Sequence, residues 1–205
     1  GVITQTALFV DLLHLMRQAG IQPISSQTGV HLIQPGPATH DGLLRQDGSP
    51  IDSTKTLALI NRMIGDINNR QIYATPEEEL SQCWHDDMIW WGPEGIGATY
   101  TQSRYIEQHQ RPFRAHLADR KFNGHIARFA EGNFGAFFGW PNLTLRPTGG
   151  FMGIPVGNDP TRTADMRVVD VYRRDGEKLD ENWIFIDMLH FLKMQGHDIL
   201  ETLAA

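Results

Sequence analysis

Four segments in the second half of the chain, at 121–131, 134–145, 165–174 and 178–186, do most to constrain its fold. Each is rich in aromatic and β-branched residues, and between them lie Gly132-Asn133, a glycine-rich passage at 149–157, and Asp175-Gly176. Gly and Asn accept the left-handed backbone of tight hairpins, whereas aromatic and branched side chains suit the pleated strand. The pattern predicts antiparallel hairpins. Ahead of them the sequence reads as helix. Ser53-Thr54 can cap a helix over 55–70, where Leu57, Ile60, Met63, Ile64 and Ile67 recur on one face. Pro76, followed by Glu77, Glu78 and Glu79, opens a second helix, because proline suits the first turn and carboxylates favour the positive N-terminal end. A short apolar strand, Met88-Ile89-Trp90-Trp91, stops at Gly92-Pro93, and a third helix is expected over 100–116. Helices, then strands, then one closing helix define an α+β domain.

The closing helix has a counterpart at the start of the chain. Between 8–20 and 184–196, at a constant offset of 176, five of thirteen pairs are identical: Phe9/Phe185, Asp11/Asp187, Leu13/Leu189, His14/His190 and Gly20/Gly196. Both copies read as strand then helix, with the Asp as N-cap and the Gly as C-terminal stop. Agreement at Asp, His and Gly as well as at apolar positions argues for a repeated unit over chance amphipathicity. Residues 1–20 are therefore expected to be a strand-helix remnant resembling the end of a preceding copy of the domain. Residues 21–54 carry Pro23, Pro35, Pro37 and Pro50 among several glycines without a helical period, so they are expected to be a linker or wrapping arm. Its middle, Gly29-Val30-His31-Leu32-Ile33, has the composition of a short strand. A complete domain then occupies 55–205.

A chain of 205 residues can bury a good core without staples. Its net charge of −6 offers no basic face to nucleic acid or to an anionic membrane. The single cysteine, Cys83, excludes an internal disulfide framework, fits a reducing compartment and reads as a small buried apolar residue. No run approaches the roughly 18 apolar residues of a membrane span, and no basic stretch leads into an apolar one at the N-terminus. A cytoplasmic location is expected.

Several motifs, in their order and spacing, resemble the SnoaL-like polyketide cyclase family of the nuclear transport factor 2-like superfamily. They are Trp84-His85-Asp86-Asp87, Trp91-Gly92-Pro93-Glu94-Gly95-Ile96-Gly97, His109-Gln110-Arg111-Pro112-Phe113, Gly149-Gly150-Phe151-Met152-Gly153-Ile154-Pro155, and the Asp175-Gly176 turn leading to Glu181-Asn182-Trp183 and Asp187. The resemblance spans about 55–205. It implies a cone-shaped barrel of a curved antiparallel sheet wrapped around three N-terminal helices, with a closing C-terminal helix. It also fits the opening repeat, since some family members look like tandem copies of this domain. The activity it implies is an intramolecular aldol cyclisation without metal or organic cofactor, using a carboxylate and a nearby histidine between sheet and helices. Such chemistry needs a base within reach of an acidic C–H and a donor for the enolate oxygen.

In the segment 165–174, alternation puts Met166, Val168, Asp170 and Tyr172 on one face. Asp170, between apolar neighbours, is the best-placed base, its pKa raised by desolvation; the competing reading pairs it with an arginine on an adjacent strand. The histidine that family cyclases carry in this strand is absent here. His109 follows Tyr105 by four residues on one helix face, so the two can present a base and a donor together. Asp187 fits two roles, a second catalytic carboxylate and the N-cap of the closing helix. Of Trp90, Trp91, Trp140, Trp183, Phe151 and Phe137, most are expected in the core and two or three against a flat or cyclic ligand. His85 is assigned to ordering the turn before the first strand, and His116 and His125 have no place in this reading. His190 and His197 fall on a polar helix face, so no metal site is expected. Two functions remain open: a cofactor-independent cyclase, isomerase, dehydratase or hydrolase acting on a hydrophobic, polyketide-like molecule, and a non-catalytic small-molecule-binding or oligomerisation domain. A homodimer is the expected assembly.

Overall fold

The computed structural model describes residues 1–24, 26–42, 46–69 and 72–204. Positions 25 and 43–45 of the expected arm, position 70 at the end of the expected first helix of the domain, and 71 and 205 lie outside the described residues. Seven strands, β1 (Trp84–Trp91), β2 (Ala98–Tyr100), β3 (Leu117–Phe122), β4 (Ala127–Glu131), β5 (Phe134–Pro147), β6 (Ala164–Asp175) and β7 (Lys178–Ile186), form one sheet. The order is β2-β1-β7-β6-β5-β3, with β4 on β5. The class is α+β as expected, with two corrections. Among the described residues the path ends at β2 and β3, so the sheet is curved but open and not a closed barrel. β1 pairs in parallel with β7, so the sheet is mixed rather than antiparallel throughout. Alternation reports which face a residue takes and is blind to strand direction. Register shifts in four of the pairings mark the bulges that bend the sheet.

The helices are α1 (Leu12–Gln18), α2 (Pro50–Asn68), α3 (Pro76–Ser81), α4 (Thr101–Tyr105), α5 (Arg111–His116), α6 (Met188–Met194) and α7 (Ile199–Ala204). A π-helical turn, Ile106–Gln110, joins α4 to α5 into the single helix expected over 100–116. α2 begins before the expected position because Ser49 caps the amide of Asp52 and Pro50 occupies the first turn. Ser53 and Thr54 lie inside that helix and donate back to the carbonyls of Ser49 and Pro50, both at 2.9 Å. The segment 121–131 is two strands rather than one, and α7 had no sequence signal that we read.

α2 sits on the inward face of the sheet, with Thr56, Ile60, Met63 and Ile64 buried. Arg174 of β6 fastens it there. Its guanidinium donates to Thr56 Oγ1 at 2.8 Å, to Asp52 Oδ1 and Asn133 Oδ1 at 2.9 Å each, and to the carbonyl of Gly176. Thr56 in turn donates to the Gly132 carbonyl at 2.7 Å. One buried cation thus ties the first turns of α2 to both hairpin turns.

The repeat survives as a capped helix and fails as a strand. Asp11 accepts from the His14 amide at 2.9 Å and Asp187 from the His190 amide at 3.1 Å. Gly20 and Gly196, with φ of 83° and 94°, end the two helices in the left-handed region. β7 precedes α6, but residues 1–10 form no strand, and Val2, Ile3 and Leu8 are exposed. α1 itself belongs to the main core: Leu13 is 1% exposed, Asp11 Oδ2 accepts from the Glu94 amide at 2.9 Å, and Arg17 pairs with Glu94. The arm lies along the far side of the sheet. Gln34 donates to the Gly92 carbonyl at 2.9 Å, Trp183 Nε1 to that of Pro35 at 2.9 Å, and the Ala38 amide to Glu181 at 3.0 Å. The strand expected at 29–33 reduces to a single bridge between Val30 and Ala98.

Because Leu13 is enclosed by the core, Leu13→Ala should lower the unfolding free energy of the chain by roughly 2–4 kcal/mol in urea titration. A loss below about 0.5 kcal/mol, the size of an ordinary surface change, would show that α1 is not packed there.

Candidate functional site

β6 alternates as the sequence predicts: Met166, Val168, Asp170 and Tyr172 all turn inward, and all four line a cavity of about 380 Å³ between the sheet and the helices. α2 supplies Met63, Ile64 and Ile67 to its wall, α3 supplies Glu79 and Leu80, and the helix over 101–116 supplies Tyr105, His109 and Phe113. Trp84 and Trp90 reach it from β1, and Asn182, Ile184 and Ile186 from β7. Apolar and aromatic side chains make up much of the lining, and Glu79, Gln110, Arg114, Arg120, Asp170 and Asn182 bring polar and charged groups to it, a mixture suited to a small-molecule site.

Asp170 is 4% exposed, and burial pushes its carboxyl up to about 7, against the hydrogen bonds from Asn182 and Tyr172 that favour the anion. Asn182 Nδ2 donates to Asp170 Oδ1 at 2.9 Å and to the Val171 carbonyl at 3.1 Å. β6 and β7 set this up, since Asn182 stands opposite Tyr172 in their antiparallel register. No arginine pairs with Asp170 among the described residues.

His109 rides on the π-helical turn, its ring stacked on Trp90 at 4.0 Å between centroids and 5.1 Å from Tyr105. Burial, with a smaller contribution from Arg114, pushes its pKa down to about 3, so the imidazole is neutral; its Nδ1 is buried without a hydrogen-bond partner. Burial and then the nearby Asp170 raise the pKa of Tyr105, which remains a phenol and a donor. The same two causes raise Tyr172, whose hydroxyl donates to Asp170.

Asp170, His109, Tyr105 and Trp90 therefore share one cavity, and the other candidates lie elsewhere. Asp187 caps α6 and pairs with Arg167 at 3.2 Å, away from the cavity wall. Trp91 and Trp183 lie on the opposite face of the sheet in a separate cluster with Ala98, because their inward neighbours Trp90 and Asn182 take the cavity side. Trp140 is 43% exposed beside Phe9 and Phe138, with the Arg167 guanidinium 4.5 Å from its ring centre. Phe151 is core, edge-on to Phe113 at 6.2 Å. Sequence reasoning missed Asn182, Tyr172 as a partner of Asp170, and His125 and Asn142 on the cavity wall. Asn182 did carry a signal, a polar residue in an otherwise largely apolar strand beside the carboxylate strand. Among the described residues, no group of three His, Cys, Asp or Glu could hold a metal ion. Among the same residues no helix is long and apolar enough to cross a membrane.

No protein-family model matches the chain, and no curated protein matches it. Solved structures do. A candidate SnoaL-like polyketide cyclase from Jannaschia sp. CCS1 aligns with a TM-score of 0.55 at 16% identity, over 73% of this chain and 96% of that one. An NTF2-like protein of unknown function from Burkholderia pseudomallei K96243 aligns at 0.54 and 13%, over 70% and 98%. Another NTF2-like protein, from Burkholderia xenovorans LB400, aligns at 0.53 and 12%, over 70% and 97%. At such identities the likeness establishes architecture and leaves chemistry to the cavity: the chain has the NTF2-like fold.

Proposed function

We propose that the chain is a cofactor-independent acid/base enzyme acting on a hydrophobic, cyclic, polyketide-like small molecule. The observation that carries this reading is Asp170, a buried carboxylate titrating near neutrality on the wall of a cavity that mixes aromatic and polar side chains. As the anion it takes a proton from a carbon next to a ligand carbonyl: the C–H bond breaks, an O–H bond forms on Asp170, and the electron pair passes to the carbonyl oxygen. The Tyr105 phenol or the neutral His109 imidazole donates to that oxygen, which is where charge develops. Return of the proton to another carbon gives isomerisation, and attack of the enolate on a second carbonyl gives cyclisation. Asn182 and Tyr172 hold the carboxylate so that it ionises near pH 7 and not higher. The Jannaschia neighbour's description as a candidate polyketide cyclase is in keeping with this reading. The absence of the family's strand histidine favours a second one, a domain that binds such a molecule without turning it over.

Exchange of the α-protons of 2-tetralone for deuterium, followed by NMR, tests proton abstraction without the natural substrate. Wild type should accelerate it, with a rate that rises with pH and levels off above about 7. Asp170→Asn should lower it at least ~100-fold. Exchange retained in that variant removes Asp170 from the mechanism; binding without exchange in wild type favours the second reading.

The same carboxyl links stability to pH. Its folded pKa, about 7, lies above the reference value of 3.8, so between them the folded state holds a proton that the unfolded state has released. Stability from this group is therefore present below about pH 4 and lost as pH rises towards 7. Compared with wild type, Asp170→Asn should gain on the order of 4 kcal/mol between pH 4 and pH 8. An unchanged difference across that range in chemical denaturation would show that Asp170 titrates normally.

A further inference from the structure

The loop between β3 and β4 brings a second histidine to the cavity. His125 lies against Phe137 at 4.0 Å and edge-on to Phe122 at 5.2 Å, and all three rings line the same cavity. Arg128 Nε donates to His125 Nδ1 at 2.8 Å, while Arg128 is held from α2 by Asn61 Oδ1 at 2.7 Å. A nitrogen that accepts a hydrogen bond carries no proton, so the neutral ring must carry its proton on Nε2. The ring is neutral because burial, and then the charge of Arg128, push its pKa down to about 4. That Nε2 is buried without a hydrogen-bond partner.

Asn142 lies beside it, 9% exposed, and its Oδ1 also has no hydrogen-bond partner. The amide interacts with the ring and raises its pKa against burial and Arg128, but it does not bring Nε2 a partner in full hydrogen-bonding geometry. Its position is built into β5, whose register against β6 shifts between Gly139 and Leu143. A Cβ on Gly139 would stand 2.5 Å from the Cβ of Asn142, so this fold of the strand requires glycine there. Two buried polar atoms without a hydrogen bond, a donor and an acceptor on one stretch of the cavity wall, are costly unless something satisfies them.

We propose that His125 and Asn142 form a second polar station of the cavity, at which His125 Nε2–H donates to a carbonyl or hydroxyl oxygen of a ligand, Asn142 Oδ1 accepts from a ligand hydroxyl, and Arg128 fixes the ring's tautomer. This rests on the reading of the cavity as a ligand site and adds a contact that the acid/base step does not use. Phe137 separates the station from the Asp170 end, with Tyr172 5.7 Å away on its other side. A ligand that engages both ends must therefore pass along the Phe137 ring.

Two isosteric probes test the station, 2-acetylnaphthalene and 2-isopropylnaphthalene, with dissociation constants read from quenching of the cavity tryptophans. His125→Phe should weaken the ketone roughly five- to tenfold, the scale of one neutral hydrogen bond, and change the hydrocarbon less than about twofold. Asn142 Oδ1 can only accept, so Asn142→Leu should leave the ratio of the two probes within about twofold of wild type. In ¹⁵N NMR of the folded protein, His125 should be the Nε2–H tautomer, and Arg128→Met should abolish the preference. Equal effects on both probes, no effect on either, an Nδ1–H tautomer in wild type, or failure of wild type to bind either probe would each overturn the station. Loss of tetralone exchange in Asp170→Asn alongside an unchanged probe ratio in His125→Phe would overturn the station alone, and the reverse pair of results would overturn the enzymatic reading alone.

Discussion

The first turns of α2 are held over the sheet by a buried cation, Arg174. A guanidinium out of water is costly unless its donors are satisfied, and this one has an aspartate, an asparagine, a hydroxyl and a carbonyl around it. Its partners come from α2 and from both hairpin turns, so the height of the helix above the strands is set at one end by fixed bond lengths. The other half of α2, with Met63, Ile64 and Ile67, then runs over the sheet as a roof. Arg174 follows Asp170 and Tyr172 on the inward side of β6, so the strand that anchors the helix also supplies the carboxylate beneath it.

Burial acts on His109, His125, Tyr105 and Asp170 by the same rule, favouring the neutral form, but the results differ because the starting values differ. His109 and His125 fall to about 3 and about 4 and are neutral at physiological pH, and Tyr105 rises and stays protonated. Asp170 starts low and arrives at about 7. Of these four groups it alone changes charge near neutrality. Donors that keep their protons thus stand in one cavity with a carboxyl that gives its own up near neutrality, the asymmetry that the proposed proton abstraction needs.

Local chemistry made much of this legible in the sequence. Residues 178–186 are strand with both predicted ends correct, because Asp175-Gly176 turns the chain before them and Asp187 caps a helix after them. The face of β6 followed from alternation, and with it Asp170. Alternation failed where a bulge changes its phase. Trp140 falls within the register shift of β5, and the shift at Arg173/Arg174 separates inward Leu179 from inward Asn182, sending Trp183 outward. His125 was unreadable for a related reason: it lies in a loop with no period, and its significance comes from Arg128, Asn61 and Asn142, which converge from three different elements. The parallel pairing of β1 with β7 likewise depends on contacts between distant parts of the chain.

The tryptophans on the far side have their own account, which explains why an aromatic-rich sequence need not mean an aromatic-lined cavity. Trp91 and Trp183 form a patch with Ala98 that would be open to water without the arm. The arm is poor in regular structure because it has no ladder of its own to complete; it instead satisfies the sheet's far side point by point, through the Pro35 carbonyl on Trp183, Gln34 on the end of β1 and Ala38 on Glu181. Prolines suit that task, since they fix an extended backbone and remove amide donors that no neighbouring strand would accept. The aromatic residues are thus divided by one sheet between two jobs. Those facing Asp170 shape a space, and those facing away hold down the chain that precedes the helix layer.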